Sequence, residues 1–259
     1  MPELPEVETI VRGLAPRLVG RRVLAAECTC ARILRGDLRR IVGGTIRQIY
    51  RHGKFIVVGF DKAFLTIHLG MTGKLLLDGE PGPHTHAVFT LDRGELLYDD
   101  IRQFGRLEAG RGAAPRLEKL GPDPLSLDTK AFVEMLRRRH SMVKPLLLNQ
   151  RFLRGMGNIY TDEALFRAGV HPRAAASRLS RARAARLHEA IQDVLLEAIE
   201  KGGSSVSDYV DSRGRRGSFQ LQHRVYGREG EPCVACGAPI RRIVVAQRGT
   251  HFCPRCQRR

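Results

Sequence analysis

The chain has 259 residues and six cysteines, with 44 Lys and Arg against 27 acidic residues, a formal net charge of +17. That length suits two domains with separate cores, and the basic excess predicts a salt-dependent affinity for a polyanion, nucleic acid first. No run of 18 apolar residues occurs, the N-terminus lacks a signal-peptide layout, and the arginines are scattered instead of lining one helix. A membrane partner is therefore not expected, and the cytoplasm is the expected compartment.

The opening Met1-Pro2-Glu3-Leu4-Pro5-Glu6-Val7-Glu8 leads into apolar residues at Val7, Ile10, Val11, Leu14 and Leu18, the spacing of one helical face. From Val23 to Leu107, short β-branched and aromatic runs at 46–50, 55–58, 64–67 and 87–91 alternate with Gly, Asp and Pro turns, which predicts an antiparallel sandwich or barrel. Cys28 and Cys30 lie in a strand-like stretch and are assigned no function. Gly121-Pro122-Asp123-Pro124 breaks both periods and reads as a linker. Helices are expected at 129–139, 161–167 and 180–201, the last with Leu187, Ile191, Val194, Leu195, Ala198 and Ile199 on one face and Gly202-Gly203 at its end. Residues 211–217 are polar and Gly-rich and read as a mobile loop. Alternation over 240–246 suggests one arm of a hairpin, with a basic tip at 246–250.

Three stretches carry chemistry. Pro2, exposed by removal of Met1, is a secondary α-amine whose pKa of about 8 leaves it partly unprotonated at neutral pH. Such an amine can attack the anomeric carbon of a deoxyribose while a neighbouring carboxyl such as Glu3 shuttles protons; the same residues also read as an acid-capped helix start. Cys233-x2-Cys236 and Cys253-x2-Cys256, 16 residues apart, have the spacing of a four-thiolate zinc site, with a pair of disulfides or free thiols as the competing arrangements. Four thiolates leave no open position for water, so such a zinc is structural. Gly155-Met156-Gly157-Asn158 can turn amides toward an anion, or can simply let Asn158 cap the next helix.

Together, Pro-Glu-Leu-Pro-Glu-Val-Glu-Thr, Gly-Lys54-Phe, His68-Leu-Gly-Met71-Thr-Gly, Gly-Met-Gly-Asn158-Ile-Tyr and the paired C-x2-C motifs resemble formamidopyrimidine-DNA glycosylases along the whole chain. The resemblance implies an α+β protein: an N-terminal helix plus β-sandwich over 1–120, a helix-two-turn-helix domain over 121–217, and a zinc-ribbon hairpin over 218–259. It implies a monomeric bacterial DNA-repair enzyme, cytoplasmic and nucleoid-associated, that removes oxidised purines (8-oxoguanine and formamidopyrimidines) from damaged double-stranded DNA and cuts the abasic strand by β,δ-elimination. Pro2 would be the nucleophile, Glu3 the acid and base, and Lys54 a catalytic cation. Asn158 and Arg248 would grip phosphate, while His68, His86 and Lys144 are further DNA contacts. Met71, Arg102 and Phe104 would fill the void left by an extruded base, where Met adapts, Phe wedges and Arg bonds the orphaned cytosine. One zinc would sit on Cys233, Cys236, Cys253 and Cys256.

The chain departs from the family pattern at Ile101 and Gln103, where a Pro and an Arg are usual, and at Asn149 and Thr161. Segment 209–225 leaves the lesion preference open. An endonuclease VIII-like enzyme for oxidised pyrimidines and a noncatalytic lesion-binding protein are the rival readings; the joint presence of Pro2, Glu3 and Lys54 argues against the second.

Overall fold

A computed structural model describes residues 1–258. The chain forms two compact units, Met1–Lys119 with Ile199–Gln220, and Leu120–Ala198 with the chain from Leu221 onward.

In the first unit, helix α1 (Leu4–Leu18) begins three residues before the apolar period, because Pro5 fits the first turn and Glu6 reaches back to the Glu3 amide. Strands follow at β1 (Val23–Cys28), β2 (Leu34–Gly36), β3 (Ile46–His52), β4 (Phe55–Phe60), β5 (Phe64–His68), β6 (Lys74–Leu77), β7 (Thr85–Leu91), β8 (Glu95–Asp99) and β9 (Arg106–Gly110). They make a four-stranded sheet, β1-β7-β8-β6, and a five-stranded sheet, β2-β9-β5-β4-β3. The expected sandwich is present, with one exception to its antiparallel pairing: β2 runs parallel to β9. Ile56, Val58, Leu65 and Leu107 from one sheet and Leu75, Phe89, Leu91 and Tyr98 from the other share a core with Val7, Ile10, Leu14 and Leu18 of α1. Cys28 and Cys30 pack against that core.

The loop at 211–217 is anchored at its base. The Asp211 carboxylate accepts the amides of Arg213 and Arg215 and the Arg215 guanidinium, and the Ser212 carbonyl accepts the Leu77 amide. The Arg216 guanidinium also donates to the Ser205 carbonyl, so the segment read as mobile from its composition is a hydrogen-bonded turn that Asp211 holds, with the Arg213 side chain exposed.

In the second unit, helices run at α2 (Thr129–Arg137), α3 (Val143–Leu148), α4 (Asn158–Arg167) and α5 (Arg181–Glu200). Helix α5 follows its apolar stripe, whereas α3 has only six residues and too short a period to read. Strands β10 (Arg241–Val245) and β11 (Arg248–Phe252) form the hairpin. Its two-residue turn, Ala246-Gln247, has positive φ at both positions (48° and 60°), the primed turn that matches strand twist. No helix among the described residues is long and apolar enough to cross a membrane.

Candidate functional site

In the first unit the head of α1 is a fixed structure. Pro2 and Glu3 are buried. One carboxylate oxygen of buried Glu6 accepts the Glu3 amide at 2.8 Å; the other accepts the Ser204 amide at 2.7 Å, across 198 residues of chain. Tyr209 adds a hydroxyl donor to the Glu6 carbonyl. Gly203 lies at φ +82°, and a Cβ there would meet Glu6 at 2.9 Å, so that position needs glycine twice over. Glu6 therefore ties the Pro2-Glu3 turn to the 203–209 segment, a role the sequence pattern does not announce.

Lys54 sits in the tight turn between β3 and β4, 7 % exposed, and His68 closes β5. Burial, then the positive charges of Lys54, Arg116 and Arg106, lower the His68 pKa to about 4. The imidazole is therefore neutral near pH 7, and its Nδ1 accepts the Gly70 amide at 3.2 Å, which places the ring proton on Nε2.

Gly70 lets the 69–72 loop approach the backbone of Phe104 and Gly105, where a Cβ would come within 2.6 Å. The fully buried Asp100 holds the crossing. Its carboxylate accepts Thr72 Oγ1 at 2.6 Å, the Gly105 amide at 2.7 Å and the Tyr98 hydroxyl at 3.3 Å, and Thr72 Oγ1 in turn accepts the Arg102 amide. Met71 (41 % exposed), Phe104 (49 %) and Arg102 thus stand out from one braced loop pair, with the guanidinium 4.6 Å from the Phe104 ring centroid. His86 meets the same loop through its Nε2 and the Asp100 carbonyl. Gln103, one of the departures, occupies positive φ (52°), and Ile101 is exposed.

In the second unit Asn158 is the first residue of α4, one position past the Gly157 cap, so it does not cap the helix. Its Nδ2 donates instead to the Gly249 carbonyl at 2.9 Å, next to the exposed Arg248 at the hairpin tip. Lys144, expected as a DNA contact, is fully buried: its Nζ donates to Asp162 at 2.5 Å and to the Gly249 carbonyl at 3.3 Å. Its charge is spent on Asp162 and not presented to solvent. The second Asp162 oxygen accepts the His251 amide at 2.8 Å. Asp162 and Lys144 therefore set the hairpin against the head of α4. Glu163 does the same for the adjoining segment, where its buried carboxylate accepts the amides of Arg224, Val225 and Tyr226; burial pushes its pKa up.

The four thiols at 233, 236, 253 and 256 converge so that all sulfurs lie within 4.8 Å of one another, with closest pairs at 3.5 and 3.9 Å. A tetrahedral zinc with bonds of about 2.3 Å separates its sulfurs by about 3.8 Å, so the set fits one ion. Amides of Ala235 and Cys256 point at the Cys233 and Cys253 sulfurs, the outer-shell donors that such thiolates require. The cysteines hold one structural zinc.

The family models described as the formamidopyrimidine-DNA glycosylase N-terminal domain, its H2TH domain, and the zinc finger found in FPG and IleRS match residues 1–107, 120–210 and 230–259. The formamidopyrimidine-DNA glycosylase of Solibacter usitatus is 58 % identical over all of both chains. The chain belongs to the formamidopyrimidine-DNA glycosylase family. Its counterpart from Bacillus subtilis is 42 % identical over 99 % of each chain. The crystal structure of the MutM (FPG) protein from Thermus thermophilus is 44 % identical, covers 99 % of this chain and 98 % of its own, and has a TM-score of 0.91. A Lactococcus lactis FPG mutant in complex with a Fapy-dG containing DNA is 39 % identical over all of both chains, with a TM-score of 0.92. As a formamidopyrimidine-DNA glycosylase, the chain is a DNA-repair enzyme, a bifunctional glycosylase and AP lyase.

Proposed function

We propose that this glycosylase excises 8-oxoguanine and formamidopyrimidines from duplex DNA through Pro2, with Glu3 as acid and base. The observation that carries the reading is the double hydrogen bond of Glu6, which fixes the buried Pro2-Glu3 turn. With Met1 removed, the Pro2 nitrogen forms a bond to the anomeric carbon as the glycosidic bond breaks and the base departs with its electron pair. Glu3 protonates the sugar ring oxygen, the ring opens to an iminium, and successive proton removals expel the 3′ and then the 5′ phosphate. Lys54 supplies a cation to the phosphate beside the lesion. Asn158 and Arg248 grip the backbone, with Lys144 acting on them from within as a positioning residue. Met71, Arg102 and Phe104 occupy the vacated stack, and His68 and His86 are further contacts on that side.

In this reading residues 1–120 carry the chemistry, 121–217 the helix-two-turn-helix grip and 218–259 the zinc finger. The enzyme acts as a cytoplasmic monomer on damaged double-stranded DNA at the nucleoid. Borohydride reduction on oxidised-purine duplex is expected to trap a covalent adduct that maps to the N-terminal peptide of a protein lacking Met1. Glu3→Gln is expected to retain binding and lose base release. An adduct on Lys54 would overturn the assignment of roles, and equal activity on oxidised pyrimidines would overturn the substrate.

A further inference from the structure

On the side of the 69–72 and 100–105 loops, the five-stranded sheet ends in a row fixed by strand register. His52 at the end of β3 stands opposite Phe55, Phe55 opposite His68 at the end of β5, and His68 opposite Arg106, which opens β9. Directly opposed residues of an antiparallel pair share a face, with Cβ atoms about 5 Å apart. The ring contact of Phe55 with His68 at 4.8 Å marks that face, whereas Ile67 and Leu107, their chain neighbours, point into the sandwich core. Arg106 therefore lies on the outer face beside His68, exposed, two residues beyond Phe104. Among the described residues it pairs with no carboxylate. Glu108, two residues along the same strand and on the same face, is bound by Arg116 instead. The guanidinium is felt at His68, whose pKa falls to about 4 through burial first and then through Lys54, Arg116 and Arg106. The imidazole is thus uncharged near pH 7, carries its proton on Nε2 and repels none of these cations.

We propose that Arg106 is a further contact to the DNA backbone and that, together with the His68 ring, it grips one phosphate flanking the lesion; the inference rests on the duplex-DNA reading above. The two side chains divide the work. Arg106 supplies full charge and a planar fork of donors, and His68 supplies a directed N–H without adding another like charge to the Lys54 and Arg116 side of the sheet. The site differs from that of Arg102, whose guanidinium lies over the Phe104 ring in the loop that fills the vacated stack. Arg106 stands on the sheet behind that loop, where it positions the duplex and reads no base.

The test uses the full-length, zinc-loaded protein as wild type, Arg106→Ala and Arg106→Lys. Binding is measured by fluorescence anisotropy across a salt series, on duplexes that carry an abasic-site analogue opposite cytosine or opposite adenine. One phosphate contact contributes a slope of about 0.9 in log affinity against log salt, or roughly 8-fold at 0.1 M. Arg106→Ala is expected to lose about that factor and about one unit of slope, equally opposite cytosine and adenine. Arg106→Lys is expected to keep the slope, because lysine preserves the charge. Combining Arg106→Ala with His68→Gln is expected to cost less than the sum of the two single losses, as two ligands of one phosphate require. Binding is read apart from the borohydride adduct, so failure of the Pro2 chemistry and failure of this contact are distinguishable. An unchanged slope in Arg106→Ala, a loss confined to one opposite base, or additive losses in the double variant would overturn the proposal.

Discussion

Removing Asp162 tests whether the buried ion pair organises the hairpin. The Lys144 ammonium and the Asp162 carboxylate are both fully buried and 2.5 Å apart, and Asp162 also accepts the His251 amide. In Asp162→Ala the ammonium stays in the interior without its counter-charge, which costs about 3–5 kcal/mol, and the orphaned amide adds to that. A total of about 4 kcal/mol corresponds to a fall of roughly 15 °C in the melting of a unit this size. Deleting both charges in Lys144→Met with Asp162→Leu is expected to recover most of the loss, since an apolar pair of similar volume needs no compensation. Urea denaturation of the two single variants and the double variant closes the cycle. Additive losses, or a cost below about 1 kcal/mol for Asp162→Ala, would refute the reasoning.

The depressed His68 pKa of about 4 has a signed consequence for stability. The unfolded chain binds a proton near pH 6.5 that the folded protein refuses, so stability is intact above pH 6.5 and falls as pH drops toward about 4; at pH 5 the loss is about 1–2 kcal/mol after allowance for partial exposure, and His68→Gln should remove it from the urea midpoint. Metal analysis should find about one zinc per chain, and Cys253→Ser should release it, unfold the hairpin and weaken DNA binding while the sandwich keeps its own transition. The Thr161 hydroxyl is buried with no hydrogen-bond partner among the described residues, so Thr161→Val should raise stability by about 1 kcal/mol in thermal melts. Arg102→Ala should shrink the preference for 8-oxoguanine opposite cytosine over adenine by about 5- to 150-fold if its guanidinium reads the orphan base; an unchanged ratio in single-turnover excision would assign that reading to another residue.

Elements with a long, uninterrupted period were legible in the sequence. The α1 and α5 stripes and the β-branched runs repeat often enough to identify themselves, and the cysteine spacing specifies its own geometry. What stayed hidden depends on contacts between distant residues. The link from Glu6 to Ser204 leaves no local pattern, and neither does the gathering of Thr72, Tyr98 and Gly105 around Asp100. Lys144 was expected as a DNA contact from the resemblance alone, and nothing local in the sequence announces that it is buried against Asp162, 18 residues away in another helix. The alternative of Asn158 as a helix cap stayed open in the local pattern because capping residues and side chains aimed at a neighbouring carbonyl share the same composition.

The tie between the Glu3 turn and Ser204 also orders events during synthesis. The first unit is discontinuous in the chain and includes Ile199–Gln220. At translation speeds of about 5–20 residues per second, Ser204 emerges some 10–40 s after the first helix. Throughout that interval the nascent polypeptide carries the head of α1 without the amide that Glu6 later captures. The head of α1, where the proposed function puts the nucleophile, is therefore among the last parts of the sandwich unit to be completed, and ribosome-bound fragments ending before residue 204 should hold a formed sheet core without the bond from the Ser204 amide to Glu6.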